Sequence, residues 1–148
     1  GINISDPILN AKANAVMQSA QELFMPLNPT INFAVGDSFK KKKEDMIPFL
    51  NTRFEDLERA LKDNDAMFYV DGKPHACDFA VYHHLDLSKL LEPGLIKKFP
   101  RLEKFVEDIE SIESIKSYLN SRPKLIDVSV EPKLVIDGVA HPTGVKKT

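Results

Sequence analysis

Apolar residues in the first part of the chain recur in alternating steps of three and four positions. This spacing places them along one face of a helix. Asp6-Pro7 supplies an N-cap side chain followed by a proline at the first helical position. The pattern predicts a helix from Ser5 to about Leu27, with a kink or break at Pro26 and Pro29. The face consists of Leu9, Ala13, Val16, Ala20, Leu23, Phe24, Leu27 and Ile31.

The same period returns in several later segments, which are separated by turn-forming residues. A second helix is predicted to begin at Asp37 or Ser38, either of which can cap it, and to end at Asp63-Asn64-Asp65. Further helices are predicted from His75, from Pro100 and around Ile112, the last ending near Ser121-Arg122-Pro123. Residues 1–125 are therefore predicted to form an all-α bundle of about five to six helices.

After Pro123 the apolar positions change to strict alternation, which is the period of an extended strand. Pro132 lies within this segment and lacks the backbone donor that a sheet ladder needs. We therefore expect residues 126–148 to form an extended C-terminal tail lying over the helices, and not a sheet. The alternating positions are Ile126, Val128, Val130, Leu134 and Ile136.

Composition excludes several classes of protein. The 148 residues carry 20 basic and 22 acidic side chains, a net charge of −2, which argues against a nucleic-acid partner. No apolar run is long enough for a membrane span. The single cysteine, Cys77, fits a reducing compartment, so we expect a cytoplasmic protein. The chain begins with Gly1 and not Met, which suggests that it is part of a longer protein.

The histidines and the cysteine do not have the spacing of a metal site. No two of them lie four residues apart on one helix, and the adjacent pair His83 and His84 point about 100° apart on a helix. We therefore expect no metal. No serine-hydrolase or nucleotide-binding motif occurs either. Cys77 is predicted to be a small buried residue and not a nucleophile.

The first helix carries the chemically most interesting surface. Two small alanines and an adaptable methionine on its apolar face could leave room for an apolar ligand. The same residues could equally be ordinary core, and the sequence leaves both interpretations open. The positions concerned are Ala13, Val16, Met17, Ala20 and Phe24.

Several segments between residues 5 and 125 resemble the C-terminal helical domain of cytosolic glutathione S-transferases of the sigma and mu type. The most specific segment ends in Asp78-Phe79, where the family has a capping box that starts a central helix. His75 stands where the family has Ser or Thr. The segments are residues 67–79, Leu85-Asp86, Phe99-Pro100-Arg101-Leu102, residues 115–119 and Ser121-Arg122-Pro123.

The resemblance implies a role for several positions. The hydrophobic-substrate pocket would be lined by Ala13, Val16, Met17, Ala20 and Phe24. Asn14 falls where the family often has an Asp that reaches the glutathione of the neighbouring subunit. Glutathione would be the co-substrate of a parent enzyme whose thioredoxin-like domain supplies the catalytic Tyr or Ser. This domain would bind no cofactor itself, would be inactive alone, would take an apolar electrophile and could form a homodimer.

Two other functions fit the same sequence. The chain could be a non-catalytic docking module, as in transferase-like proteins of the translation machinery. Its departures at His75 and Asn14, and the residues after Pro123, keep this alternative open. The first helix could also bind apolar ligands without catalysis.

Overall fold

The computed structural model describes residues 4–122 and 128–130, and the backbone of residues 133–136 and 139–142. Its main elements are five α-helices, which confirms the predicted helical bundle. A short 3-10 helix, Ile96–Lys98, precedes the fourth. The helices are α1 (Pro7–Phe33), α2 (Gly36–Lys62), α3 (Ala76–Leu91), α4 (Pro100–Ser111) and α5 (Glu113–Ser121).

Helix α1 begins as predicted but extends further. The Asp6 carboxylate accepts hydrogen bonds from the backbone amides of Ile8 at 2.8 Å and Leu9 at 2.9 Å. Of the predicted kink or break at Pro26 and Pro29, the break is wrong, because the helix continues through both prolines to Phe33, and the kink stays a prediction. Its buried face also continues past them, so packing against the core outweighs the two missing backbone donors. That buried face includes Leu23, Leu27 and Ile31.

Helix α2 begins one or two residues before its predicted start. The N-cap is Val35, which forms no side-chain cap hydrogen bond, so the predicted caps at Asp37 and Ser38 are wrong. Gly36 has a positive φ of 55°, a conformation that glycine adopts without strain. Its backbone amide donates to the Ser129 carbonyl at 2.9 Å, so a distant segment supplies an acceptor at this helix start.

The core is formed by helix packed on helix. α1 makes its most extensive contacts with α3, and α2 packs against both α1 and α4. Aromatic rings meet edge to face where residues 68–69 contact α4. The ring centroids of Tyr69 and Phe105, for example, lie 5.3 Å apart. Buried Glu58 of α2 accepts a hydrogen bond from the Leu102 amide at 2.8 Å and so caps α4 from a neighbouring helix.

The C-terminal part contains a short two-stranded sheet. Strand β1 (Lys133–Ile136) pairs antiparallel with β2 (Val139–Pro142), and β1 lies beside α1. The expectation of a strap and not a sheet is therefore wrong for these residues, because the ladder begins after Pro132 and does not need its missing donor. Residues 123–127, with the predicted strand position Ile126, lie outside the described residues. The proposed division at residue 125 stays a prediction.

Candidate functional site

The predicted pocket positions of α1 differ in how deeply their side chains are buried. Val16 and Ala20 are buried in the core, and Ala20 has no exposed surface. Ala13 and Met17 are half-buried, and Phe24 is 41% exposed. Any ligand that contacts this face would therefore meet Ala13, Met17 and Phe24, with Val16 and Ala20 beneath them. Their role in substrate binding stays a prediction.

Phe24 contacts a histidine of α3. The ring centroids of Phe24 and His84 lie 6.2 Å apart with the planes at 65°, an edge-to-face arrangement. His84 is only 3% exposed, and its Nδ1 has no hydrogen-bond partner among the described residues. Burial and the neighbouring His83 lower the pKa of His84 from 6.5 to about 4. The imidazole beside Phe24 is therefore neutral at physiological pH.

Sequence reasoning missed the position of His84 because it tested the histidines only for metal spacing. A usable signal was present. His84 lies in register with the buried positions Val81, Leu85 and Ser88 of α3, whereas His83 falls on the exposed face. The helical period therefore indicated one buried and one exposed imidazole.

A groove of about 370 Å³ lies between α1 and α2, on a different side of α1 from Phe24. It shares only Val16 with the predicted pocket positions. Arg53 borders it and pairs with Glu22 at 2.8 Å and with Asp56 at 3.3 Å. The groove is lined by Lys12, Ala15, Val16, Ser19, Arg53, Asp56, Leu57 and Ala60.

A second groove of about 330 Å³ lies further along the same pair of helices. Its walls are mostly apolar, with one lysine and one aspartate. None of the predicted pocket positions lines it. It is lined by Met25, Pro26, Pro29, Thr30, Lys42, Asp45, Met46 and Phe49.

Asn14 is exposed on the outer side of α1. It lies one residue from the half-buried Ala13 but projects from a different side of the helix, as the 100° step between successive residues requires. An exposed amide is free to meet a group from outside the domain. Its predicted contact with glutathione stays a prediction.

The start of α3 is organised by Asp78. Its Oδ1 accepts a hydrogen bond from the Tyr69 amide at 2.9 Å, and its Oδ2 accepts one from the His75 amide at 2.8 Å. Burial raises the pKa of Asp78, although these two hydrogen bonds act in the opposite direction. The His75 imidazole lies with Nε2 3.1 Å from Asp71 Oδ1. Asp78 thus forms its half of the capping box and also holds the preceding segment.

Cys77 has the environment of a structural residue. It is buried, as predicted, and burial together with the adjacent Asp78 carboxylate raises the pKa of its thiol to about 12. The thiolate that a nucleophile requires is therefore strongly disfavoured. Over the ranges that the structure describes, no group of three or more His, Cys, Asp or Glu side chains is arranged so that it could hold a metal ion. No helix there is both long and apolar enough to cross a membrane.

Comparison with known proteins identifies the family. A family model described as "Glutathione S-transferase, C-terminal domain" matches residues 27–122. Human glutathione S-transferase Mu 4 is 30% identical over 94 residues, covering 64% of this chain and 42% of the relative. A class-mu 26 kDa isozyme of Fasciola hepatica, isozyme 51, is 28% identical over 116 residues, covering 78% of this chain and 50% of the relative.

Solved structures show the same fold. The Pi-class glutathione S-transferase of Onchocerca volvulus matches with a TM-score of 0.72 and 19% identity, over 82% of this chain and 58% of that one. The glutathione S-transferase Blo t 8 matches with a TM-score of 0.73 and 17% identity, over 81% and 56%.

This chain belongs to the glutathione S-transferase C-terminal domain family. It spans about half the length of the curated relatives that it matches. The resemblance read from the sequence is thereby confirmed. The relatives and structures named above are all transferases, and they give no support to the docking-module alternative.

Proposed function

We propose that this chain is the hydrophobic-substrate-binding domain of a glutathione S-transferase that conjugates glutathione to apolar electrophiles. The observation that supports this best is the partly exposed face of Ala13, Met17 and Phe24, which lies over the buried residues Val16 and Ala20 of the same helix. An apolar electrophile placed there leaves water and is held in one orientation. The parent enzyme acts in the cytoplasm, in detoxification.

The sulfur chemistry belongs to the rest of the parent protein. Conjugation needs a group that stabilises the glutathione thiolate, and the one thiol of this chain is buried and disfavours ionisation. The chain contributes the electrophile site and is inactive alone. The co-substrate of the parent is glutathione, and this domain binds no cofactor of its own.

A domain chimera tests the proposal. The chain is joined after the thioredoxin-like domain of a mu-class relative, and conjugation of glutathione to chlorodinitrobenzene is followed by absorbance. We expect activity in the chimera and none in the chain alone. The proposal would be refuted if neither the folded chimera nor the full parent protein bound glutathione or conjugated it to any of a broad panel of electrophiles.

A pair of alanine substitutions locates the electrophile site within the chimera. Ala13→Trp fills the half-buried wall, so we expect a higher KM for the electrophile with the KM for glutathione unchanged. Ala11→Trp introduces the same side chain at an exposed position of the same helix and serves as the control. Equal kinetics for the two variants would remove Ala13 from the site. Ala20 is unsuitable for this test because it is fully buried.

We propose that Asn14 hydrogen-bonds the γ-glutamyl group of glutathione held by the neighbouring subunit. Its exposed amide can accept or donate but lacks the charge that strengthens such a contact. Asn14→Asp in the chimera should therefore lower the KM for glutathione and leave the KM for the electrophile unchanged. An unchanged or higher KM for glutathione would contradict this role.

We propose that the parent forms a homodimer through the face of α1 and α2. The groove between these helices and the charged residues along it, Arg53 and Asp56, support this choice of face. Ala15→Arg places a bulky charge in the groove and should shift the chimera to monomer in sedimentation experiments. Ala11→Arg is the control, and a dimer that survives Ala15→Arg would exclude this groove from the interface.

A further inference from the structure

His84 combines features that packing alone does not require. It occupies a core position of α3, yet its Nδ1 is buried without a partner among the described residues. A buried polar atom without a hydrogen bond lowers stability, and an aliphatic residue of similar size would avoid that loss. The imidazole at this position therefore calls for another contribution.

The contact that His84 makes is with the exposed part of the predicted substrate wall. Its ring meets Phe24 edge to face, with centroids 6.2 Å apart. Phe24 is 41% exposed, so one part of its ring is supported by His84 while another part remains open to a ligand. The His83 ring lies 5.1 Å from His84 on the exposed side of α3.

An exposed phenylalanine on a helix surface can adopt more than one rotamer, and an edge-to-face partner favours one of them. His84 is fixed by the surrounding core, so its ring offers a rigid support. A ligand that packs on Phe24 then meets a preorganised surface and does not bear the entropy of ordering that side chain.

We infer that His84 is a positioning residue, which holds the Phe24 ring in the orientation that receives an apolar ligand. The inference rests on the proposed function, since it assumes that Phe24 forms part of the apolar site. It adds a residue of α3 to a site that sequence and resemblance assigned to α1 alone.

The experiment is a double-mutant cycle on the full chain, with an anilinonaphthalene sulfonate dye as the apolar probe. Binding is measured by fluorescence titration for Phe24→Ala, His84→Ala and the double variant. If His84 acts through Phe24, each single change weakens binding by about two- to tenfold, and the double variant is no weaker than the weaker-binding single variant. Circular dichroism and the urea midpoint report whether each variant is folded.

Two further substitutions separate positioning from simple space filling. His84→Phe keeps an aromatic edge and should retain most of the dye affinity, whereas His84→Leu fills the space without one and should weaken binding as His84→Ala does. His84→Leu also replaces His84→Ala in the cycle if the alanine variant does not fold. His83→Ala, on the exposed side of α3, should leave affinity unchanged.

The outcomes distinguish the inference from the proposed function. The inference alone would be overturned if the losses of dye affinity in the two single variants multiplied in the double variant. It would also be overturned if His84→Leu bound the dye as tightly as the original chain. Unchanged binding in both Phe24→Ala and Ala13→Trp would overturn the site assignment, and the inference would fall with it.

Discussion

The loss of folding stability at acid pH should depend strongly on His84. In the folded chain, burial and His83 lower the pKa of this imidazole to about 4, whereas the unfolded chain retains the ordinary value of 6.5. Between pH 4 and 6.5 the His84 imidazole is mostly protonated in the unfolded chain and mostly neutral in the folded chain. Stability is therefore complete above pH 6.5 and falls as the pH falls toward 4.

The size of the effect follows from the two pKa values. At pH 5 the unfolded imidazole is almost fully protonated and the folded one is almost fully neutral, which corresponds to about 2 kcal/mol relative to pH 8. We therefore expect the free energy of unfolding to be lower by about 1–2 kcal/mol at pH 5.

The assay is urea denaturation followed by circular dichroism at about pH 7.5, 6 and 5, a range over which the imidazole of the unfolded chain becomes protonated. His84→Leu removes the titrating group and should flatten the decline in the free energy of unfolding. His83→Gln, which changes the exposed neighbour, should keep most of it. An identical acid loss in His84→Leu and the original chain would show that His84 is not the group responsible.

Three further predictions concern other buried groups. Asp78→Ala leaves two backbone amides without acceptors and should lower stability by about 2–4 kcal/mol, compared with little change for exposed Glu44→Ala. Glu58→Ala removes the cap of α4 and should lower it by about 1–2 kcal/mol in urea titrations, with a smaller loss for Glu58→Gln. Cys77 should resist iodoacetamide at pH 8 until urea is added; rapid labelling of the folded chain would contradict its burial.

Much of the helical fold could be predicted because its signals are local. Asp6-Pro7 and Pro100 begin helices through the geometry of the first turn, and the apolar period continues from each. The two errors in the first helices arose where local rules met distant contacts. Pro26 and Pro29 do not break α1 because its buried face continues beyond them, and the start of α2 at Gly36 is supported by Ser129.

The candidate site could be predicted only in part. The period of α1 identified its apolar face, but the depth of each residue depends on α3, which approaches from elsewhere in the sequence. Ala20 and Phe24 belong to one stripe and yet differ from fully buried to 41% exposed. The contact between Phe24 and His84 joins residues 60 positions apart, and no local pattern specifies it.

The hydrogen bond from the Gly36 amide to the Ser129 carbonyl also orders events during synthesis. The corner between α1 and α2, at Val35 and Gly36, is synthesised more than ninety residues before Ser129, whose carbonyl accepts the Gly36 hydrogen bond. During that interval the Ser129 carbonyl is not yet available to the Gly36 amide, and the parallel bridge between Val35 and Ser129 cannot form. The nascent domain can therefore assemble its helices from the N-terminus onward, but this corner closes only when the tail has emerged. A chain truncated before residue 129 would form the helical bundle with that corner still open.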